Sequence, residues 1–143
     1  MGENVFTYGT LMFTEVMEAV TGRRFPSEEA TLRGYSRYGL RDLVYPGIVK
    51  DTEGMTDGMM YRDVDALSLK YLHAFEDELY RCERHPVVVE QRMEPAFVYV
   101  VKTKWAKKVI NPIPWSPNDF WREHQDAYIA SCMAFRQQMS DSI

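Results

Sequence analysis

The sequence predicts an α+β domain built on a mixed or antiparallel sheet. Three observations carry that prediction. About five or six β-branched and aromatic runs recur along the chain, each the length of a short strand. Two helical patterns, over residues 13–21 and 65–77, fall between them. The links are mostly short and rich in glycine, proline and acidic residues.

The first run, Val5-Phe6-Thr7-Tyr8, is expected as a strand over residues 4–8. Gly9 ends it by permitting a backbone geometry that side chains with a Cβ resist. Thr10 offers a hydroxyl and a helix-cap oxygen. Met12, Val16, Met17 and Val20 then recur at helical spacing, and Thr21-Gly22 stops the helix. Residues 29–40 read as a second strand with Gly34 at a bulge. Tyr45-Pro46-Gly47 turns into a short strand through Ile48 and Val49, residues 51–54 form a polar turn, and residues 55–61 form another strand. Leu69, Leu72 and Phe75 place one apolar face on the 65–77 helix, with Asp65 as its N-cap. Residues 81–92 alternate around Val87-Val88-Val89. Met93-Glu94-Pro95 is the expected hairpin turn, and residues 97–102 the strand after it.

The tail reads differently. Residues 109–118 hold Pro112, Pro114 and Pro117, which make an extended, semi-rigid approach. A helix is expected over 118–139, apolar at Phe120, Tyr128, Cys132, Phe135 and Met139. Such a helix is not stable alone and must pack on something. Covering the sheet is the preferred role; contact with a second copy in a homodimer and a lid over a pocket are the others.

Composition narrows the function. At 143 residues, 45% hydrophobic and 13% aromatic, the chain suits one domain over 1–143 with a real core. A formal charge of −4 argues against a nucleic-acid partner. Lys102, Lys104, Lys107 and Lys108 form a local basic run best read as a solvated loop. No run approaches the ~18 apolar residues of a membrane span. Cys82 and Cys132 are too few for a disulfide framework, and the start Met-Gly-Glu-Asn has neither a basic region nor an apolar one, so the cytoplasm is the expected home. Cys82 lacks the histidine-and-base pattern of a nucleophile. His73, His85 and His124 lack metal-ligand spacing, and no metal or cofactor is expected.

Two places hold candidate chemistry. A strand that ends in Gly9-Thr10 and turns into a helix gathers main-chain N–H groups at one spot, which suits an anion or a polarised carbonyl. An ordinary turn explains the same residues equally well. Glu76 follows Phe75 at the end of an apolar helix face. The helix dipole and desolvation both disfavour its charge there, which raises its pKa toward that of a general base. A solvated glutamate in the acidic end Glu76-Asp77-Glu78 is the plainer reading. His73, three residues earlier, shares that face and is best read as facing water.

Taken together, these segments resemble the gamma-glutamylcyclotransferase-like family. The resemblance rests on Tyr8-Gly9-Thr10-Leu11 after the first strand, Phe75-Glu76 closing a helix, and Tyr80-Arg81 opening a strand. Leu32-Arg33-Gly34-Tyr35, Tyr45-Pro46-Gly47-Ile48-Val49, Gly58 to Tyr61, and Ala96-Phe97-Val98-Tyr99-Val100 fall between or after them. It covers about residues 4–102, leaving 103–143 as a C-terminal extension. The resemblance implies a small, partly closed β-barrel with flanking helices and a pocket at the end of strand one. It implies intramolecular aminolysis of a γ-glutamyl substrate to 5-oxoproline without a cofactor, with Glu76 as general base. Gly9, Thr10 and Leu11 would offer main-chain donors, and Tyr8 and Tyr80 would orient substrate. Relatives often carry a longer insert between the glutamate and that tyrosine, so the transfer to Tyr80 is the looser one. Gly47 and Ile48 are further pocket candidates, though turn and strand roles explain them equally well. Thr10 in place of serine leans away from the glutathione-acting branch, toward the γ-glutamylamine or γ-glutamyl-amino-acid branches. Two other classes stand beside the enzyme: a non-catalytic small-molecule binding module on the same fold, and an interaction protein that uses the C-terminal helix.

Overall fold

The computed structural model describes residues 2–76, 78–102 and 115–142. Among the described residues, five strands close into a barrel: β1 (Glu3–Thr7), β2 (Ser27–Gly39), β3 (Pro46–Val64), β4 (Tyr80–Val89) and β5 (Arg92–Val101). Their order around the wall is β1-β3-β2-β4-β5. Neighbours run antiparallel, except that β1 lies parallel to β5 through Val5 and Phe97 and so closes the barrel. Three helices flank it: α1 (Thr14–Thr21), α2 (Ala66–Glu76) and α3 (Pro117–Ser142). The expected α+β barrel with an appended helix is therefore the observed architecture.

Strand side chains point alternately to the two faces of the wall. Phe6, Leu32, Ile48, Met60, Val87, Val98 and Val100 form one buried cluster drawn from all five strands, with no helical member, so they fill the barrel interior. Val5, Tyr61, Val64, Tyr80, Tyr99 and Val101 point outward. They join Val16, Val20, Leu72 and Cys132 of the helices in a second buried cluster. Both faces are covered, which is why the Val98-Tyr99-Val100-Val101 run is apolar throughout.

Local signals hold where their chemistry is local. Asp65 caps α2, accepting from Ser68 Oγ at 2.6 Å and from the Ser68 amide at 3.2 Å. Gly34, at φ 89°, lies where the β2–β3 register shifts. Gly22 ends α1 at φ 80°. Arg136 of α3 donates to the Glu18 carbonyl there at 3.0 Å, setting a cation at the negative end of the α1 dipole.

Four expectations are corrected. Residues 51–54 do not reverse the chain. They lie inside one continuous strand, opposite Gly34, between the pairs Arg33–Met55 and Tyr35–Lys50. The polar signal there marks a wide bulge, held by Ser36 donating to Asp51 at 2.7 Å. The β4–β5 hairpin turns at Glu90 and Gln91, between Val89 and Arg92, while Met93, Glu94 and Pro95 belong to β5. Glu90 takes the left-handed conformation, φ 58°, that two-residue hairpin loops require; glutamate is a poor sequence signal for it. Thr10 caps no helix: Phe13 stands at the α1 N-cap, and Thr10 opens a 3-10 turn, Thr10–Met12. The short strand after Pro46 is the start of the 19-residue β3.

Of the proline-stiffened approach over 109–118, residues 109–114 lie outside the described residues, as do Asp77, Lys104, Lys107 and Lys108. No described helix is long and apolar enough to cross a membrane. The α3 helix packs inward, with Phe120 and Cys132 buried and Tyr128, Phe135 and Met139 partly buried against the outer cluster.

Candidate active site

A cavity of about 390 Å³ opens where the end of β1, the 3-10 turn, the C-terminus of α2, the start of β4 and the middle of α3 meet. Tyr8, Gly9, Thr10, Leu11, Glu76 and Tyr80 all line it. Residues up to about 70 positions apart thus share one wall because β1 and β4 approach the same end of the barrel. Tyr45, Pro46, Tyr99 and the α3 residues Tyr128, Ser131 and Phe135 complete it. These the sequence did not single out as site residues. The signals available for the α3 residues were the apolar spacing of Tyr128 and Phe135; for Tyr99, its place in a strand motif.

Glu76 is the last residue of α2. As a wall residue it keeps some exposure, yet the protein around its carboxyl pushes its pKa up to about 8, burial being the cause. Its charge reaches four tyrosines. The Tyr8 and Tyr80 hydroxyls are driven well above the usual range, first by burial, with Glu76 adding to the effect. Tyr99 and Tyr128 rise for the same leading reason, with Glu76 a smaller contributor. All four remain neutral hydrogen-bonding groups at physiological pH.

Hydrogen bonds to the main chain hold the walls in place. The Tyr8 hydroxyl donates to the Tyr99 carbonyl at 2.6 Å, and the Tyr80 hydroxyl to the Pro46 carbonyl at 2.6 Å. With their protons so used, both oxygens can offer only lone pairs to a guest. Tyr61 donates to the Leu11 carbonyl at 2.7 Å, anchoring the 3-10 turn from behind. Within that turn the Met12 amide bonds the Gly9 carbonyl at 3.0 Å. The amides of Gly9, Thr10 and Leu11 precede this first bond, so the turn itself supplies them no acceptor.

Glycine is needed at position 9 for space. Its φ is −124°, outside the left-handed region. A Cβ built there would lie 2.9 Å from both Cγ and Cδ of Pro46, closer than packed atoms stand.

Other candidates lie elsewhere. Gly47 packs against Leu40 and Val101, and Ile48 is buried in the barrel interior, so neither lines the cavity. His73 is exposed and turns its Nδ1 to the Tyr99 hydroxyl at 2.7 Å. The Cys82 thiol is held up by burial, then by the Glu76 and Glu83 charges, which leaves it a poor nucleophile. Among the described residues no three His, Cys, Asp or Glu side chains gather as a metal site would need.

The fold recurs in solved structures. A solution structure from Arabidopsis thaliana superposes with a TM-score of 0.69 at 25% identity, over 90% of this chain and 87% of that one. A structure titled gamma-glutamyl cyclotransferase superposes at 0.66 over 92% and 86%; at 13% identity that likeness is one of fold. Barrel, flanking helices and pocket thus define a protein of the gamma-glutamyl-cyclotransferase fold class. The family model described as "Gamma-glutamyl cyclotransferase, AIG2-like" matches residues 5–122, and the chain belongs to that family. Among its relatives is AIG2-like protein C of Arabidopsis thaliana, 31% identical over 125 residues, 85% of this chain and 70% of that one. AIG2-like protein D of the same plant is 26% identical over 143 residues, 96% and 91% of the two chains.

Proposed function

We propose that this protein is a γ-glutamyl cyclotransferase, which closes a γ-glutamyl amide on its own α-amine to release 5-oxoproline and an amine or amino acid. The observation that carries the proposal is Glu76: a carboxyl group whose pKa burial pushes up to about 8, in the wall of the same cavity that Gly9, Thr10 and Leu11 line. Family membership supports the same reading.

The residues suit each step. A substrate α-ammonium entering the cavity meets the Glu76 carboxylate and the lone pairs of Tyr8 and Tyr80. Burial penalises both charges, so it favours proton transfer from the ammonium to Glu76, leaving a neutral amine and a neutral acid. The amine attacks the γ-carbonyl carbon, forming the ring C–N bond while the carbonyl oxygen gains negative charge. Amides of the Gly9–Leu11 turn would stabilise that oxygen or the substrate α-carboxylate. Glu76 returns its proton to the departing nitrogen as the old C–N bond breaks. It then takes the second proton that the ring nitrogen sheds and passes it to the leaving amine, which departs as an ammonium and leaves Glu76 as the carboxylate again. The enclosing walls hold the chain folded for attack. The cytoplasm is the compartment that best suits two free thiols, Cys82 and Cys132.

Incubation with γ-glutamyl amines, γ-glutamyl amino acids and glutathione, followed by detection of 5-oxoproline, tests the reading. Turnover of at least one class is expected. Binding of 5-oxoproline with no turnover of any class would replace it with the non-catalytic binding module.

A further inference from the structure

One guanidinium stands directly behind the turn that faces the cavity. Arg37 Nη1 donates to the Tyr8 carbonyl at 2.7 Å and to the Asp57 carbonyl at 3.2 Å, and touches Met12 Sδ at 3.7 Å. Its guanidinium lies over the Trp115 ring, 5.5 Å from the centroid. Arg37 sits in a separate groove with Tyr38, Asp57 and Trp115, and it does not line the cavity that Gly9 lines.

Peptide geometry links the two sides. In a planar trans peptide the C=O and the following N–H point in opposite directions. No peptide bond among the described residues is cis. With the Tyr8 carbonyl turned to Arg37, the Gly9 N–H of the same peptide points the other way, and Gly9 lines the cavity while Arg37 does not. A cation on the carbonyl also polarises the whole amide and makes its N–H a stronger donor. Burial lowers the Arg37 pKa while Asp57 and Tyr8 oppose the change, and a guanidinium keeps its charge in any such setting.

We propose that Arg37 is a positioning residue that aims and polarises the Gly9 amide as a donor to the polar end of an anionic or carbonyl-bearing ligand in the cavity. This rests on the cyclotransferase reading only for the identity of the substrate. The arrangement gives a reason for setting a charged side chain among a carbonyl, a thioether and an indole: a neutral apolar side chain there would leave the Tyr8 carbonyl without this donor and its amide without a polarising cation.

The test uses the full chain in four forms: wild type, Arg37→Met, Arg37→Lys, and Arg33→Met, which removes an exposed arginine of β2 outside the site. The Gly9 amide resonance is followed while 5-oxoproline is added, a readout that needs no turnover. It should move in wild type and in Arg33→Met, respond far less in Arg37→Met, and recover in part in Arg37→Lys. With a turned-over γ-glutamyl substrate, kcat/KM should fall about tenfold to a hundredfold in Arg37→Met, somewhat less than outright loss of an oxyanion donor brings. Should Arg37→Met not fold, Arg37→Gln, which keeps a donor without the charge, takes its place. A Gly9 amide that responds in the variant as in wild type, or that ignores 5-oxoproline in wild type, overturns the inference. A protein whose Gly9 amide responds as described but which forms no 5-oxoproline from any γ-glutamyl compound overturns the cyclotransferase reading and leaves this one standing.

Discussion

Thr10 Oγ1 donates a hydrogen bond to the Tyr128 hydroxyl at 3.0 Å, joining two residues 118 positions apart in the chain. The bond ties the 3-10 turn to α3 beside the cavity that both residues line. Because Tyr128 accepts from Thr10, its own O–H proton is left for another acceptor. The candidate site is thus built partly from the C-terminal helix, and that helix is a wall of the pocket as well as a cover for the barrel. Tyr128→Phe should leave the buried Thr10 hydroxyl without this partner and cost about 1–3 kcal/mol in denaturant titrations. It should also lower 5-oxoproline formation. Unchanged stability and turnover would mean that the bond does not matter.

Glu76→Gln separates chemistry from stability. Loss of the base should cut kcat by a factor on the order of 10² to 10⁴ with binding retained. In wild type, kcat/KM should climb with pH on a limb near 8, since the carboxylate form is the active one; the variant should lack that limb.

The stability effect has the opposite sign. The folded-state pKa is above the unfolded one, so between about 4.5 and 8 the native state holds a proton that the unfolded chain has released. Wild-type stability is therefore lost as pH rises through that window. The melting temperature of Glu76→Gln should match wild type near pH 4.5 and exceed it increasingly toward pH 8. Parallel pH–stability curves for the two proteins would show that Glu76 is not held in a desolvated site.

Gly9→Ala should disable the site through lost space. The new Cβ would press on the Pro46 ring, and the Pro46 carbonyl is what holds the Tyr80 hydroxyl. A loss of about tenfold or more in kcat/KM is expected, together with a shifted Tyr80 ring resonance. Wild-type kinetics in Gly9→Ala would show that Pro46 yields without consequence.

Removing residues after Asn111 strips α3 from the outer cluster. Cys132 is buried there, with Tyr128 and Phe135 partly buried against it, and Phe120 is buried with its ring against Phe13, Trp115 and Tyr128. Each large side chain fully buried is worth roughly 1.5–3 kcal/mol, so the truncated chain should lose several kcal/mol and much of its melting temperature. Phe120→Ala alone should cost about 3–5 kcal/mol. A truncated protein with the wild-type melting temperature and the same oligomeric state would mean that the helix is dispensable.

What could be read in the sequence is what neighbouring residues decide between themselves. Asp65 announces a helix start because its carboxylate reaches an amide three residues on. Gly22 and Gly34 mark a helix end and a register shift because the chain needs φ > 0 there. Phe75-Glu76 sets a carboxylate at a helix end, and Tyr8-Gly9-Thr10-Leu11 sets a turn after a strand, because both patterns span only a few residues. The polar stretch at 51–54 misled for the same reason: a wide bulge and a turn use the same residues, and only the partner strand tells them apart. Tertiary structure alone decided that β1 meets β5 to close the barrel, that Tyr45, Tyr99 and Tyr128 arrive around Glu76, and that Arg37 stands behind the Tyr8–Gly9 peptide. Desolvation, which turns an ordinary glutamate into a candidate base, comes from the surrounding walls. Those walls come from β1, β4 and α3, segments far apart in the chain whose meeting depends on long-range pairing that no local pattern encodes.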